Sequence, residues 1–311
     1  MKFVDMSNRK VSAIGVGLAA WNDKFEQRNA DAIVAKAFDL GINLFDTAEL
    51  YGSEAQLGRA LGSQRERAVI ATKVSNWNLQ RDSVIAAAQG SLDKLGTDSI
   101  DLYQIHWPNF RVPLETTMQG MLALLDQGMI KQVGVCNFSG RYWRRAEQVL
   151  GRPVISNQLP FSIVDHGSSL GLVPYAVQNQ RCVIAYHPLA QGLLGGRYGT
   201  NQLPGDYRAS ARTFAPGVLN RAAPLQNELS VLAKRHGAKP AQIALAWLLH
   251  KPQVIAIPGT TSLTQLESNA RAADITLAPD EWEDLRELGV RVRLIYPRRQ
   301  IKALVAWVLG F

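Results

Sequence analysis

The sequence contains few cysteines and no long apolar run. Only Cys136 and Cys182 occur among 311 residues, which excludes the disulfide framework that supports small secreted domains. No apolar run reaches the roughly 20 residues that a membrane-spanning helix needs. Residues 1–12 alternate polar and apolar side chains and lack the apolar core of a signal peptide. We therefore expect a cytoplasmic protein with reduced thiols and no membrane span.

Acidic residues are absent from residues 290–311, and this tail carries much of the positive charge. The formal net charge of the chain is +8, and five of these charges belong to the tail. The body is only mildly basic and shows no nucleic-acid-binding motif, so we expect no nucleic-acid partner. The apolar end of the tail favours packing against the protein, with a peripheral membrane or dimer contact as the alternative. The tail cations are Arg291, Arg293, Arg298, Arg299 and Lys302.

Short runs rich in β-branched residues alternate with longer segments of helical period. Eight such runs with helices between them favour a closed (β/α)8 TIM barrel, in a single domain over residues 1–311, above an open doubly wound sheet. Residues 1–13 are predicted to contain a preceding strand or β-hairpin. The predicted barrel strands are 13–18, 43–46, 68–73, 99–105, 132–136, 154–158, 182–186 and 254–257.

The longest irregular segment predicted from the sequence spans residues 188–224, after the seventh strand. It is rich in glycine, arginine and proline. Loops of this length in compact domains are usually functional or disordered. The sequence leaves open whether it is a surface insertion or a flap over a ligand at the barrel's carboxyl-terminal face.

Four side chains with complementary chemistry follow three successive predicted strands. Asp46 and Tyr51 follow the second, Lys73 ends the third and His106 follows the fourth. Taken singly, Asp46 could cap a helix, Lys73 could extend to solvent and His106 could be a hydrogen-bonded histidine of the barrel end. Because the carboxyl ends of barrel strands meet at one rim, we expect the four to lie together.

This combination favours proton delivery to a carbonyl group. A phenol has a pKa of about 10, and a neighbouring ammonium lowers it. A carboxylate would keep that ammonium charged, and a neutral imidazole would orient the carbonyl oxygen. The sequence contains no nucleophile paired with a base and no cluster with metal-ligand spacing. We therefore expect neither hydrolysis nor a metal.

The segment Asp46-Thr47-Ala48-Glu49-Leu50-Tyr51-Gly52, with Lys73 and His106, resembles the catalytic tetrad of the aldo-keto reductase family. The resemblance extends over nearly the whole chain. It implies a barrel, an NADP(H) cofactor bound without a Rossmann domain, and hydride transfer to an aldehyde or ketone with Tyr51 as general acid.

Further segments resemble the parts of this family that contact the cofactor. They imply carboxamide binding after the fifth and sixth strands, stacking on the nicotinamide by Tyr186, a pyrophosphate loop at 191–196 and an adenosine-phosphate segment at 257–262. The residues that the resemblance places at the cofactor are Gly17, Leu18, Cys136, Asn137, Gln158, Tyr186, Pro188, Leu189, Gln191, Gly192, Leu194, Gly259, Thr260, Thr261, Ser262, Gln265 and Asn269.

Two positions depart from the family pattern. Cys136 replaces a serine, and a thiol is a weak hydrogen-bond donor. No lysine or arginine stands near Thr261 or Gln265 to bind a 2′-phosphate, although hydroxyls at a helix N-terminus, or Arg271 or Arg197, could do so. We therefore expect NADP(H), with NAD(H) as the alternative.

Three tryptophans, Trp21, Trp77 and Trp107, follow the first, third and fourth strands. They fit either core packing at the rim or an apolar pocket for the carbonyl substrate. Two other functions remain compatible with the sequence: an NAD-dependent alcohol or sugar dehydrogenase with the same site, and a nucleotide-binding regulatory subunit. The sequence does not specify the oligomeric state.

Overall fold

The structure is a computed structural model that describes residues 1–7, 9–21 and 25–292, without the side chains of Ser168, Tyr207 and Arg212. Most of the predicted tail, from residue 293 onward, lies outside the described residues. Residues 290–292 form the end of the last described helix. No helix within the described ranges is both long enough and apolar enough to cross a membrane.

Strands and helices alternate through most of the described chain. The strands are β1 (Phe3–Met6), β2 (Arg9–Ser12), β3 (Val16–Gly17), β4 (Leu44–Asp46), β5 (Val69–Val74), β6 (Ile100–Ile105), β7 (Ile130–Cys136), β8 (Val154–Pro160), β9 (Cys182–Tyr186) and β10 (Val254–Ala256). The α-helices are α1 (Gln27–Asp39), α2 (Glu54–Leu61), α3 (Arg81–Leu95), α4 (Leu114–Asp126), α5 (Gly140–Leu150), α6 (Gly167–Leu170), α7 (Val173–Gln178), α8 (Pro216–Arg235), α9 (Pro240–Leu249), α10 (Leu263–Arg271) and α11 (Pro279–Val292).

Strands β3 to β10 form one parallel sheet in the order of the chain. The sheet closes because the segment around β3 also pairs with the segment around β10, through parallel bridges from Ile14 to Ala256 and from Gly17 to Gly259. The Gly15 N–H donates to the Ala256 carbonyl at 2.8 Å. The predicted (β/α)8 barrel is therefore confirmed, and each predicted barrel strand coincides with an observed one.

The barrel strands are buried on both faces. Every residue of β5 and β6 is buried, polar residues included. Helices cover the outside of a parallel sheet, and side chains fill its interior. The buried apolar side chains form one continuous cluster. A polar side chain inside this barrel is shielded from water, so the hydrogen bonds that it forms are to other groups of the protein.

The amino-terminal end of the barrel is covered by the antiparallel pair β1–β2. Arg9 of β2 donates to the carboxylate of Asp101, at the start of β6, at 2.8 Å. Asp101 is only 3% exposed and also forms ion pairs with Arg65 and Lys131. These charges tie the hairpin to the end of the barrel opposite the predicted site.

The segment predicted to be irregular over 188–224 is shorter in the structure. Helix α8 begins at Pro216 and contains Pro224 in its interior. An interior proline costs a helix about 3 kcal/mol, but α8 buries an apolar face against α9 and α11, which outweighs that cost. The residues buried on this face are Val218, Leu219, Ala222, Leu225, Leu229, Leu232 and Ala233.

The contact between α2 and α3 leads to a prediction about two helical glycines. A Cβ at Gly58 would lie 2.4 Å from the Leu95 carbonyl oxygen, whereas a Cβ at Gly90 would meet nothing within 4 Å. We expect Gly58→Ala to lower the free energy of unfolding by about 1–3 kcal/mol because backbone must move. Gly90→Ala, the matched control, should raise it by up to about 1 kcal/mol because alanine favours helix. Urea unfolding measures both, and equal effects would contradict the prediction.

Candidate active site

The structure brings the four predicted catalytic side chains together at the carboxyl-terminal rim. Asp46 ends β4, and Tyr51 lies in the single 3₁₀ turn Glu49–Tyr51 that follows it. Lys73 lies in β5, and His106 directly follows β6. Neighbouring parallel strands thus deliver all four to one place, as the strand order predicts.

Lys73 is fully buried and paired with Asp46. Its Nζ donates to Asp46 Oδ1 at 2.6 Å and to the Thr47 carbonyl oxygen at 2.7 Å. Burial disfavours the ammonium and is the largest single effect, but Asp46, Tyr51 and Cys136 together outweigh it and raise the pKa of Lys73 above its ordinary value. The lysine therefore carries a fixed positive charge inside the barrel.

The second carboxylate oxygen of Asp46 accepts hydrogen bonds from two buried amides. Gln158 Nε2 lies 2.7 Å from Asp46 Oδ2, and Gln104 Nε2 lies 3.4 Å from it. Gln104 Oε1 also lies 3.7 Å from the Cys136 thiol and 3.5 Å from Gln158 Nε2. Asp46, Gln104, Cys136 and Gln158 therefore form one hydrogen-bonded layer beneath the rim.

Gln104 was missed by the sequence analysis. It lies two residues before His106, so strand periodicity places both side chains on the inner face of β6, and this spacing could have revealed it. Gly134 on β7 makes room for it, because a Cβ there would lie 2.4 Å from Ser156 Oγ and 2.9 Å from Gln104 Cγ. The layer therefore depends on a glycine as well as on its polar members.

Tyr51 and His106 lie edge to face above this layer. The Tyr51 hydroxyl is 3.3 Å from His106 Nε2, and Lys73 Nζ is 4.8 Å from the centre of the phenol ring. Burial raises the pKa of Tyr51 and outweighs the opposing effect of Lys73. The expected net lowering of this pKa was therefore wrong, because desolvation of the phenolate is the larger effect.

Burial and the Lys73 charge lower the pKa of His106 to about 3. The imidazole is therefore neutral at physiological pH, as expected from the sequence. One ring nitrogen carries a proton and the other is an acceptor.

Asn137 connects this group to the next two strands. Its Nδ2 donates to the His106 carbonyl at 3.2 Å, and its Oδ1 accepts from the Tyr186 hydroxyl at 2.9 Å. Its backbone N–H donates to the Gln158 carbonyl at 2.9 Å. Asn137 has a φ of 63°, a left-handed conformation that asparagine tolerates better than most residues. Three predicted carboxamide and stacking residues thus lie beside the tetrad.

The segment after β9 contains several residues with positive φ: His187, Ala190 and Gln191 at 50°, 47° and 58°, and Gly192 at 105°. Such strained backbone is common where a protein binds a ligand. The side chain of Gln191 is fixed by a residue later in the chain, because Thr213 Oγ1 donates to Gln191 Oε1 at 3.0 Å. Of the other predicted residues here, Pro188 and Leu194 are buried and Leu189 is partly buried.

The predicted adenosine-phosphate segment lies at the closing edge of the barrel. The Thr260 N–H donates to the Gly17 carbonyl at 3.3 Å, and Asn269 Nδ2 lies 3.5 Å from Thr260 Oγ1. A Cβ on Gly17 would lie 2.8 Å from the Ile257 carbonyl oxygen, so only glycine fits there. Leu18, beside it, is fully buried.

The N-terminus of α10 is exposed beside this edge. Ser262 caps it by accepting from the Gln265 N–H at 3.3 Å. Gln265 Oε1 accepts from both the N–H and the hydroxyl of Thr261, at 2.9 and 3.1 Å. Gly259, Thr261, Ser262 and Gln265 are all exposed. The predicted phosphate-binding residues thus form a neutral, solvent-facing cap.

The three predicted substrate-pocket tryptophans occupy different environments. Trp21 is fully buried, stacks on Phe25 at 4.9 Å and donates its indole N–H to the Thr260 carbonyl at 2.8 Å. It is thus packed at the closing edge and shows no surface to a substrate in this structure. Trp77 is 62% exposed, and Trp107 is partly buried. Of the three, Trp77 and Trp107 are accessible.

Among the residues that the structure describes, no group of three or more His, Cys, Asp or Glu side chains could hold a metal ion. Two opposite charges, those of Lys73 and Asp46, lie at the centre of the tetrad and pair with each other. The arrangement is suited to moving a proton at Tyr51 while a fixed positive charge stands next to it.

The chain and its fold are similar to those of known proteins. An uncharacterized oxidoreductase of Mycobacterium tuberculosis is 42% identical over 316 residues, which cover 98% of each chain. The structure is similar to an aldo/keto reductase from Klebsiella pneumoniae solved with NADP and acetate (TM-score 0.75, 29% identity, 92% and 95% of the two chains). It is also similar to a glycerol dehydrogenase from Gluconobacter oxydans (TM-score 0.85, 25% identity, 95% and 98%).

The family model described as the aldo/keto reductase family matches residues 13–290, from the first barrel strand to the last described helix. This match spans most of the chain and includes every residue of the tetrad. The protein is therefore an oxidoreductase, and the chain belongs to the aldo/keto reductase family.

Proposed function

We propose that this protein reduces an aldehyde or ketone to an alcohol with NADP(H) as cofactor and Tyr51 as general acid. The observation that carries the proposal is the buried Lys73–Asp46 pair directly beneath the Tyr51–His106 contact. The similar Klebsiella pneumoniae proteins were solved with NADP and with NADPH, which supports the choice of cofactor.

The residues around the tetrad fit a nicotinamide. Both amide hydrogens of Gln158 are directed to Asp46 and Gln104. Within the described part of the chain, Gln158 Oε1 accepts no hydrogen bond, so it is available to a carboxamide NH2 group. Asn137 and Tyr186 would contact the rest of the nicotinamide ring. Thr261 and Ser262 would bind the adenosine phosphate. When bound, the reduced nicotinamide supplies the hydride.

Side chains of the protein would then orient the carbonyl oxygen and protonate it. His106, being neutral, can donate one hydrogen bond that orients this oxygen beside the Tyr51 hydroxyl. Tyr51 gives its proton to the oxygen, and the Lys73 ammonium stabilises the phenolate that remains. General acid catalysis of this kind contributes about 10²–10⁴ to a rate.

A second candidate function is oxidation of an alcohol by the same site with NAD. It is favoured by the similarity to a glycerol dehydrogenase and by the absence of lysine and arginine from residues 259–265. The same four residues would act in reverse, with the Tyr51 phenolate as base. A purely regulatory nucleotide-binding subunit would not need the complete tetrad.

The first prediction from the proposed function concerns the general acid, Tyr51. Tyr51→Phe removes the proton donor, so kcat for aldehyde reduction should fall by at least about 10²-fold while the Kd for NADPH changes little. The measurements are steady-state NADPH oxidation and quenching of protein fluorescence by the cofactor.

The control is Tyr103→Phe, the same substitution in buried strand β6. Within the described residues the Tyr103 hydroxyl has no hydrogen-bond partner, so its loss should leave kcat within about twofold. If Tyr51→Phe retained wild-type turnover, Tyr51 would not be the general acid.

The second prediction concerns pH. Reduction needs the protonated Tyr51, whose pKa burial raises above 10.0, and the pKa of His106 is lowered to about 3. Neither group titrates near neutrality, so kcat/KM for reduction should stay flat from about pH 6 to pH 9 and fall only above that range. An inflection at about pH 6.5 would show that His106 titrates, which contradicts the assigned role.

The third prediction concerns the choice of cofactor. The proposed phosphate cap offers hydroxyls, backbone N–H groups and a helix N-terminus but no cationic side chain. At this exposed site, hydrogen bonds from uncharged donors to a phosphate contribute about 1.4 kcal/mol to such a preference, so we expect NADPH to exceed NADH in kcat/KM by only about tenfold. Parallel assays with both cofactors test this, and a preference for NADH would favour the dehydrogenase alternative.

A further inference from the structure

The loops that follow the strands of the tetrad carry exposed apolar side chains. Among the described residues, Phe110 and Trp77 are the most exposed large apolar side chains, at 73% and 62%. Leu50, which directly precedes Tyr51, is 49% exposed. These residues follow β6, β5 and β4, the strands that deliver the tetrad. Exposed apolar side chains on the loops around a reactive group are suited to contact a substrate.

One carboxylate joins the Tyr51 turn to the Trp77 turn. Glu49 Oε2 accepts from the Ser75 N–H at 2.8 Å, and Glu49 Oε1 accepts from Asn78 Nδ2 at 2.7 Å. The Asn78 N–H in turn donates to the Ser75 carbonyl at 3.0 Å, which closes a tight turn with Trp77 inside it. Glu49 therefore holds both ends of this turn while lying two residues before Tyr51.

The other end of the Tyr51 segment is fixed to the same strand. Glu54, which begins α2, is fully buried, and its Oε1 accepts from the Thr72 hydroxyl at 2.6 Å. Thr72 directly precedes Lys73. Two carboxylates thus flank Tyr51 in the chain and attach its turn to β5, but only Glu49 also contacts the Trp77 turn.

The connection extends to the loop that carries Phe110. Asn109 Nδ2 donates to the Asn76 carbonyl, inside the Trp77 turn, at 2.9 Å. The loops after β4, β5 and β6 are therefore linked by hydrogen bonds into one arc around the tetrad. Trp77 and Phe110 are placed by this arc relative to Tyr51.

We propose that Glu49 is a positioning residue that sets the distance between the Tyr51 hydroxyl and the Trp77 indole, and thereby selects carbonyl substrates with a bulky aromatic substituent. The proposal rests on the proposed carbonyl reduction. Glu49 does not touch the reacting atoms. It acts through its two charge-assisted hydrogen bonds, which are stronger and more directional than neutral ones.

The test compares 2-naphthaldehyde with propanal as substrates of wild-type protein, Glu49→Gln, Trp77→Ala and the double variant. Glutamine has one acceptor oxygen and turns an N–H group toward a donor, so it keeps one of the two bonds. We expect Glu49→Gln to raise KM for 2-naphthaldehyde about tenfold. KM for propanal and Kd for NADPH should change by less than about twofold.

The double variant separates positioning from general stability. If Glu49 acts through Trp77, the double variant should show no larger KM for 2-naphthaldehyde than Trp77→Ala alone. The matched control is Glu66→Gln, an exposed glutamate at the amino-terminal end of the barrel, which should behave as wild type. Additive effects of the two substitutions would overturn the inference.

A second measurement does not depend on catalysis. In Glu49→Ala, hydrogen–deuterium exchange of peptides covering residues 74–79 should quicken about tenfold or more, while peptides of β7 and β8 stay unchanged. Unchanged exchange at 74–79 would overturn the inference at any level of activity. A wild-type protein that reduces neither aldehyde would instead overturn the proposed function, and the exchange result would still decide whether Glu49 holds the turn.

Discussion

The ion pair between Lys73 and Asp46 is the interaction on which the rest of the site depends. An ammonium without solvent exposure is costly unless a counter-charge and hydrogen-bond acceptors compensate for the lost water. Here Asp46 and the Thr47 carbonyl accept two of the three hydrogens of Lys73, and the Tyr51 ring lies next to the ammonium. The amides of Gln158 and Gln104 satisfy the second oxygen of Asp46. These groups come from β4, β5, β6 and β8, so the charge is tolerated only in a barrel that has already formed. The same closure that stabilises the fold therefore creates the electrostatic environment for chemistry.

That environment keeps both Tyr51 and His106 uncharged, by raising the pKa of the first and lowering the pKa of the second. Burial holds the Tyr51 phenol in its protonated form, and burial together with Lys73 holds His106 in its neutral form. The Tyr51 phenol is therefore a weaker acid than a phenol in water. The lysine charge becomes useful when the phenol loses its proton, because a phenolate beside a fixed cation is stabilised at the moment it forms. Tyr51 therefore stays protonated until its proton passes to the substrate oxygen.

The sequence predicted the barrel and the meeting of the tetrad because strand ends of a parallel barrel share one rim, so the order of the motifs was sufficient. It failed where side chains meet across strands. Gln104 and Glu49 carry ordinary residue types, and their roles depend on partners that only the register of β4 to β8 brings near. Pro224 suggested an irregular segment because local propensity opposes helix there, but burial of one face of α8 outweighed it. The net pKa shift of Tyr51 also escaped prediction, since the depth of burial is not readable from a motif.

The edge at which Gly17 pairs with Gly259 has a consequence for how the protein is made. More than three quarters of the chain separates these two residues, so the first barrel strand leaves the ribosome long before its last neighbour exists. Until then β3 has an unpaired edge, and such edges can pair with other chains. Closing contacts of such high sequence separation also slow folding. The growing chain therefore depends on its short first strand, only Val16–Gly17, and on the hairpin beside it to limit misassembly before the ring closes.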